Sequence, residues 1–284
     1  MEVPIRLRLT RILVYPLKGA GGCDLLEAEF DEFGIPGDRR WMLTDPDGHF
    51  LSQRTHPRLS LLQTHPAPPG ASRSGFSFSL SAPGLGEFEL SPGPSDVWLD
   101  VQVHKDRFPA LAGYGEADAL FSDFLGEACR LVFIPIDVHR PVDREWAPGH
   151  RVGLADGYPL HLTTEESLED VGRRLSQTTD MLSYRPNLVV AGGEPWEEDE
   201  WRLLGIGGSK VGIVKPCARC PVITVDQRTR VRGREPLCSL GAFRKWEGKV
   251  FFGQNAVVER AGSFRVGDDV HILERGSRRP PLPA

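Results

Sequence analysis

Turn-forming residues constrain this chain more than any other feature. It carries 31 glycines and 24 prolines in 284 residues, about a fifth of the chain against roughly 12% in average proteins. Proline lacks a backbone donor and glycine weakens regular structure. Long helices are therefore disfavoured, and many short strands joined by tight turns are expected. The apolar pattern agrees. Residues 76–80 (FSFSL) and 87–90 (EFEL) alternate at period two, as half-buried strands do. Strands are also expected at 11–16, 40–44 and 97–103 and, further on, at 187–190, 210–214, 222–225, 255–259 and 269–273. The segment 45–48 (DPDG) is a turn, with proline where its fixed φ helps and glycine where φ is positive. Two helices stand out. One covers 116–125, with Leu120, Phe121, Phe124 and Leu125 on one side and Gly126 as its stop. The other opens on a capping box of Thr163 and Glu166 and continues through Leu168, Val171 and Leu175. Residues 65–75 read as an exposed loop and 275–284 as a disordered tail. No internal repeat is present.

Charge narrows the function. With 34 basic and 39 acidic side chains the net charge is −5 and the pI about 5.9, a poor balance for gripping nucleic acid or an anionic membrane. No run of 18 apolar residues exists, so no spanning helix is expected. Residues 1–9 lack the apolar stretch of a secretory signal. Five cysteines are too few and too scattered for a disulfide framework. The expectation is a cytoplasmic, reduced protein with no nucleic-acid or membrane partner and a small-molecule substrate.

The densest chemistry lies in residues 215–221 (KPCARCP). A zinc site needs four ligands, and Cys217 and Cys220 form the only C-x-x-C, with Cys238 isolated. A thioredoxin-type pair should open a helix, but here Pro221 and a β-like run follow. Two buried core cysteines are the plain alternative, and Arg219 between them weighs against it, because cores seldom admit an unpaired charge. One thiolate beside an arginine can bind a soft metal while the guanidinium holds an anion. Elsewhere, Lys18 precedes a glycine-rich turn whose backbone N–H groups can approach an anion. Arg39 and Arg40 lead into Trp41, Arg185 feeds an apolar run, and residues 252–255 (FGQN) offer amides for a heterocycle edge. Taken alone, each basic residue is equally well read as solvated surface. Together they suit a phosphorylated organometallic cofactor.

In order and spacing, LVYPLK (13–18), GDRRW (37–41), YRPN (184–187), KPCARC (215–220), FGQN (252–255) and VGD (266–268) resemble the signatures of the MOSC family with its N-terminal β-barrel companion. The similarity runs from about Leu9 to Leu273 and is greatest to the mitochondrial amidoxime reducing components and their bacterial relatives. It implies a mixed α/β, strand-dominated chain. Residues 1–125 would form a β-barrel-like domain with a closing helix, and 126–274 a MOSC β-barrel domain with a few helices. It also implies molybdopterin-ligated molybdenum, with Cys220 as the protein thiolate on the metal. Ala218 and Arg219 would lie against the pterin or its phosphate. Lys18, Arg39 and Arg185 would neutralise that phosphate, with Asn187 and Asn255 nearby. Asp156, Gly157 and Tyr158 would line the site in place of the family's Asp-Thr-Ser, and Gly19 replaces its usual serine. The implied activity is reduction of N-hydroxylated compounds such as amidoximes and hydroxylamines. Neither a ferredoxin domain nor its cysteine spacing is found, so electrons are expected from a separate protein, ferredoxin-like or cytochrome b5-like with a reductase. The competing reading is a non-catalytic carrier of molybdenum cofactor or sulfur on Cys220.

Overall fold

A computed structural model describes residues 6–66, 78–93, 95–175, 179–226 and 231–279. As expected, the protein is a strand-dominated mixed α/β chain. Its largest sheet has nine strands. In spatial order eight of them are Val270–Arg275, Trp201–Ile206, Ser209–Ala218, Lys249–Arg260, Leu160–Thr164, Leu188–Ala191, Arg8–Val14 and Cys23–Leu25, and the ninth, Lys245–Trp246, pairs with Lys249–Arg260. Among the described strands of this sheet only Leu160–Thr164 and Leu188–Ala191 pair in parallel. The helix Glu165–Leu175 lies in the crossover between them, as parallel neighbours require. A second sheet orders Trp41–Thr44, Arg130–Phe133, Asp106–Leu111 and Trp98–Val103. Two small sheets complete the set: Gln63–Pro66 with Phe78–Ala82 and Gly86–Leu90, and Ser263–Arg265 with Glu27–Glu29. The sheets are open rather than closed barrels. Leu9, Ile12, Leu162, Val190, Trp201 and Leu204 fill the core under the large sheet. Leu17, Trp41, Leu59, Leu80 and Phe121 fill that of the first half.

Strands cross the expected division at 125/126 in both directions. Arg8–Val14 joins the large sheet between Leu188–Ala191 and Cys23–Leu25. Arg130–Phe133 pairs with Trp41–Thr44 in the first-half sheet. The two halves are thus interleaved in space, and the chain at residues 15–18 and 38–41 runs along their seam.

Several expectations need correction. Residues 222–225 are not a strand but lie largely in the 3₁₀ turn Pro221–Thr224, because Pro221 presets its first φ and the Thr224 hydroxyl donates to the Pro221 carbonyl at 2.8 Å. Thr163 is not a helix cap. It belongs to the strand Leu160–Thr164, and the Thr164 hydroxyl accepts from the Ser167 N–H instead. Glu166 accepts from the Gly192 N–H rather than closing a capping box. The tail is held as far as Arg279, since Arg275 ends a strand and the Gly276 and Arg279 N–H groups donate to the carbonyls of Glu200 and Asp199. The rest of the tail, most of the loop expected at 65–75, and residues 76–77 lie outside the described residues. The helix Gly115–Leu125 ends as anticipated, with Gly126 left-handed at φ 79°. No helix among the described residues is long and apolar enough to cross a membrane.

Candidate active site

A cleft of about 160 Å³ opens on the seam between the halves. The first half supplies Lys18, Gly19, Arg39 and the rim from Phe50 to Arg54. The second supplies Asp156, Gly157, Tyr158, His161, Tyr184, Arg185, Asn187, Cys217, Arg219, Cys220 and Asn255. Every residue that the resemblance assigns to the cofactor lines this cleft except Ala218, which is exposed at the end of its strand and pairs with Phe251.

Local backbone explains how these side chains arrive. After the strand Arg8–Val14 the chain bends at Pro16, and the Lys18 N–H donates to the Trp41 carbonyl at 2.8 Å. Gly19 follows with φ 89°, and a Cβ there would meet Leu59 Cδ1 at 3.2 Å. The turn therefore suits glycine and offers backbone rather than a hydroxyl. Arg39 and Arg185 are both left-handed, at φ 45° and 55°, a conformation that costs a non-glycine residue about 1–2 kcal/mol. Arg185 is the C-cap of the short helix Met181–Tyr184. The two guanidinium groups lie 4.5 and 4.2 Å from the centroid of the buried Tyr15 ring. Such strain concentrates where a side chain must be aimed. Arg40, by contrast, is buried at 1% exposure and donates to the Ile134 carbonyl, outside the cleft.

The cations are held unequally. Lys18 pairs with Asp156, which His104 Nε2 also approaches at 3.3 Å. Burial lowers the Lys18 pKa, and Asp156 opposes that shift. The cleft walls push Asp156 upward, but Lys18 and His104 outweigh them and hold its carboxyl well below the usual range. Arg39 donates to Asp38 Oδ2 at 2.6 Å, Asn187 Oδ1 at 3.0 Å and the Arg185 carbonyl at 3.1 Å. The Asn187 amide also donates to the Leu13 carbonyl and accepts from the His161 N–H. Its polar atoms are thus taken up inside the protein, and it positions Arg39. Burial and then Arg39 bring Arg185 down to about 10, which leaves it charged at neutral pH. Arg219 donates to the Tyr184 carbonyl at 2.8 Å and to Cys217 Sγ at 3.1 Å. Burial pushes the Cys217 thiol up while Arg219 pulls it down. His161 lies at 3.4 Å from Arg219 Nη1. Burial, and next Arg219, force its imidazole well below the usual histidine range, so it is neutral.

This donor set fits a phosphorylated, metal-bearing group. Among the described residues neither Arg185 nor Arg219 has a carboxylate partner, and Arg185 Nη2 and Arg219 Nε are buried without any hydrogen bond. Unpaired guanidinium nitrogen at that depth calls for an anion. Cys220, at the N-cap of the 3₁₀ turn, offers one soft donor. No cluster of three or more metal-ligating side chains occurs among the described residues, so a metal held here must bring its other ligands with it.

Sequence reading missed the rim Phe50–Arg54, His161 and Tyr184. The signal for His161 was a lone imidazole between two leucines. The rim gave none, since only the tertiary fold brings it over residues far away in the chain.

Fold and cleft together describe a strand-built protein with basic side chains gathered near a thiol. The MOSC domain family matches residues 149–271, and the MOSC N-terminal beta barrel domain family matches residues 6–128. The chain belongs to the MOSC proteins that carry this N-terminal domain. It is 31% identical to mitochondrial amidoxime reducing component 2 of Rattus norvegicus, over 93% of this chain and 83% of that protein. Component 2 of Homo sapiens is 31% identical over the same shares. Component 1 of Homo sapiens is 29% identical over 93% of this chain and 82% of that protein.

Proposed function

We propose that this chain is a molybdenum-cofactor-dependent reductase that removes oxygen from N-hydroxylated small molecules such as amidoximes and hydroxylamines. The observation that carries the reading is one cleft in which Cys220 is ringed by Lys18, Arg39, Arg185 and Arg219, along a chain similar to amidoxime reducing components over 93% of its length. Cys220 would hold the molybdenum. Arg185 and Arg219, which lack carboxylate partners, would take the cofactor phosphate, with Arg39 and Lys18 behind them. When bound, the cofactor supplies the two-electron chemistry by which oxygen leaves nitrogen. The protein orients it, and the neutral His161 lets two guanidinium groups converge without a further charge. Asn255 offers an amide from the opposite strand, its N–H donating to the Pro216 carbonyl at 3.3 Å. Electrons would come from a separate carrier, ferredoxin-like or cytochrome b5-like with its reductase. All five cysteines are unpaired, which suits a reducing compartment such as the cytoplasm.

Protein made in a cofactor-competent host tests this reading. It should carry molybdenum and reduce benzamidoxime to benzamidine with reduced methyl viologen as donor. Protein that loads molybdenum yet reduces neither amidoxime nor hydroxylamine would support the carrier reading. Protein that never takes up molybdenum would refute the reductase reading and the carriage of molybdenum cofactor.

A further inference from the structure

The cleft has one cation that the cofactor reading does not use. Arg54 lines it from the rim, is exposed, and has no carboxylate partner among the described residues. Its only hydrogen bond among the described residues is a long 3.5 Å contact from Nε to the Ser52 hydroxyl. The other cleft cations are fixed: Lys18 by Asp156, Arg39 by Asp38 and Asn187, Arg185 by the Ala20 carbonyl, and Arg219 by the Tyr184 carbonyl. Arg54 instead stands over an aromatic plate. Its guanidinium carbon lies 5.8 Å from the Phe50 ring centroid, and Lys18 Nζ lies 5.1 Å from the same centroid. The rim is anchored beneath it. Gln53 donates to the Gly19 carbonyl at 2.6 Å, and the Thr55 and His56 N–H groups donate to the Ser52 carbonyl, so Arg54 sits within a fixed turn. Asp156, the one carboxylate lining the cleft among the described residues, is already engaged by Lys18 and His104.

We propose that Phe50 and Arg54 form the specificity surface for substrate, selecting flat N-hydroxylated compounds that carry an anionic group at the end remote from the reacting nitrogen. The apolar body lies on Phe50, and the carboxylate, or another anion of similar size, pairs with Arg54 at the mouth. This rests on the reductase reading above and names the substrate class within it. A guanidinium–carboxylate pair at a partly desolvated rim, between the exposed and buried limits, gives a preference of about tenfold that weakens as salt rises.

The test compares 4-carboxybenzamidoxime with 4-(aminomethyl)benzamidoxime on molybdenum-loaded protein, with reduced methyl viologen as donor. Wild type should favour the carboxylate by kcat/KM. R54Q should cut that ratio about tenfold, chiefly through KM, and R54E should invert it, an outcome that misfolding cannot produce. Titration calorimetry of the same proteins with 4-carboxybenzamidine and 4-(aminomethyl)benzamidine gives the ratio without turnover. If wild type reduces neither amidoxime, the reductase reading fails, yet calorimetry still decides the role of Arg54. Equal ratios in wild type, R54Q and R54E would overturn the proposal. So would an R54E defect seen with a protein electron donor but not with methyl viologen, because Arg54 would then belong to donor docking.

Discussion

Asn187 is the point at which fold and clamp can be tested together. It is fully buried and spends its side chain on three partners: it donates to the Leu13 carbonyl at 3.1 Å and accepts from the His161 N–H at 3.2 Å and from Arg39 Nη1 at 3.0 Å. Asn187→Leu keeps the volume roughly constant and strands all three. Each buried group left without a partner costs about 1–3 kcal/mol. The two backbone groups are inside the sheet, whereas Arg39 keeps Asp38 and counts for less. The expected loss is about 3–4 kcal/mol, or about 10 °C in melting temperature for a chain of this size. Asn187→Asp retains both acceptor contacts but sets a carboxylate oxygen against the Leu13 carbonyl, so its loss reports that one donation. Urea unfolding of the cofactor-free proteins measures the difference, which keeps ligand binding out of the comparison. A loss below 1 kcal/mol in Asn187→Leu would refute the view that this amide ties the Leu13 and His161 strands together.

The clamp itself predicts that Arg185→Met lowers cofactor occupancy about tenfold to a hundredfold when cofactor is limiting, since one charge-assisted contact is worth about 1.5–3 kcal/mol. Molybdenum content at unchanged melting temperature checks it. The two cysteines should not be equivalent: Cys217→Ala should keep bound molybdenum and most turnover, whereas Cys220→Ser should keep some cofactor with an altered absorption spectrum and little turnover. The reverse pattern would show that the ligand is misassigned. Glu198 governs a pH effect. Burial, and next the adjacent Asp199, raise its carboxyl to about 7, while its Oε2 accepts from the Ser167 hydroxyl at 2.9 Å. The folded protein then holds this proton more tightly than the unfolded chain, so stability from this group is greatest below about pH 4.5 and is lost as pH rises to about 7. Glu198→Gln should flatten that slope and be more stable than wild type at pH 8, by about 2–3 kcal/mol at most. Urea midpoints at pH 5.5 and pH 8 that shift equally in both proteins would contradict it.

What the sequence disclosed follows the range of the interactions involved. Strand 41–44, helix 115–125 and its left-handed Gly126 were legible because alternation, apolar facing and a glycine stop are local signals. The 3₁₀ turn at Pro221 was misread because Val222, Ile223 and Val225 have the β-branched character of a strand, and only the bend after Cys220 reveals otherwise. Thr163 and Thr164 both pair within the strand Leu160–Thr164, and the cap falls to Thr164 because its hydroxyl reaches the Ser167 N–H. Arg39 and Arg40 cannot be told apart by type. The left-handed φ of Arg39 turns one guanidinium into the cleft while its neighbour goes under Ile134.

The same contrast explains why the site was more legible than its rim. Clamp residues sit at strand ends and turns with unusual local demands: a glycine that must be left-handed after Lys18, prolines flanking Cys217 and Cys220, an arginine capping a four-residue helix. These demands mark the chain. Phe50 and Arg54 have none, and their position over Lys18 and Gly19 comes from the Gln53 amide donating across 34 residues to the Gly19 carbonyl. The arrangement has an energetic consequence as well. Arg39 and Arg185 flank one tyrosine ring, both in a strained conformation, and Arg39 itself lowers the Arg185 pKa. Two like charges on one ring are held by Asp38, Asn187 and backbone carbonyls at a standing cost. An anion taken by Arg185 would offset that repulsion, so the fold is arranged around the charge it is proposed to bind.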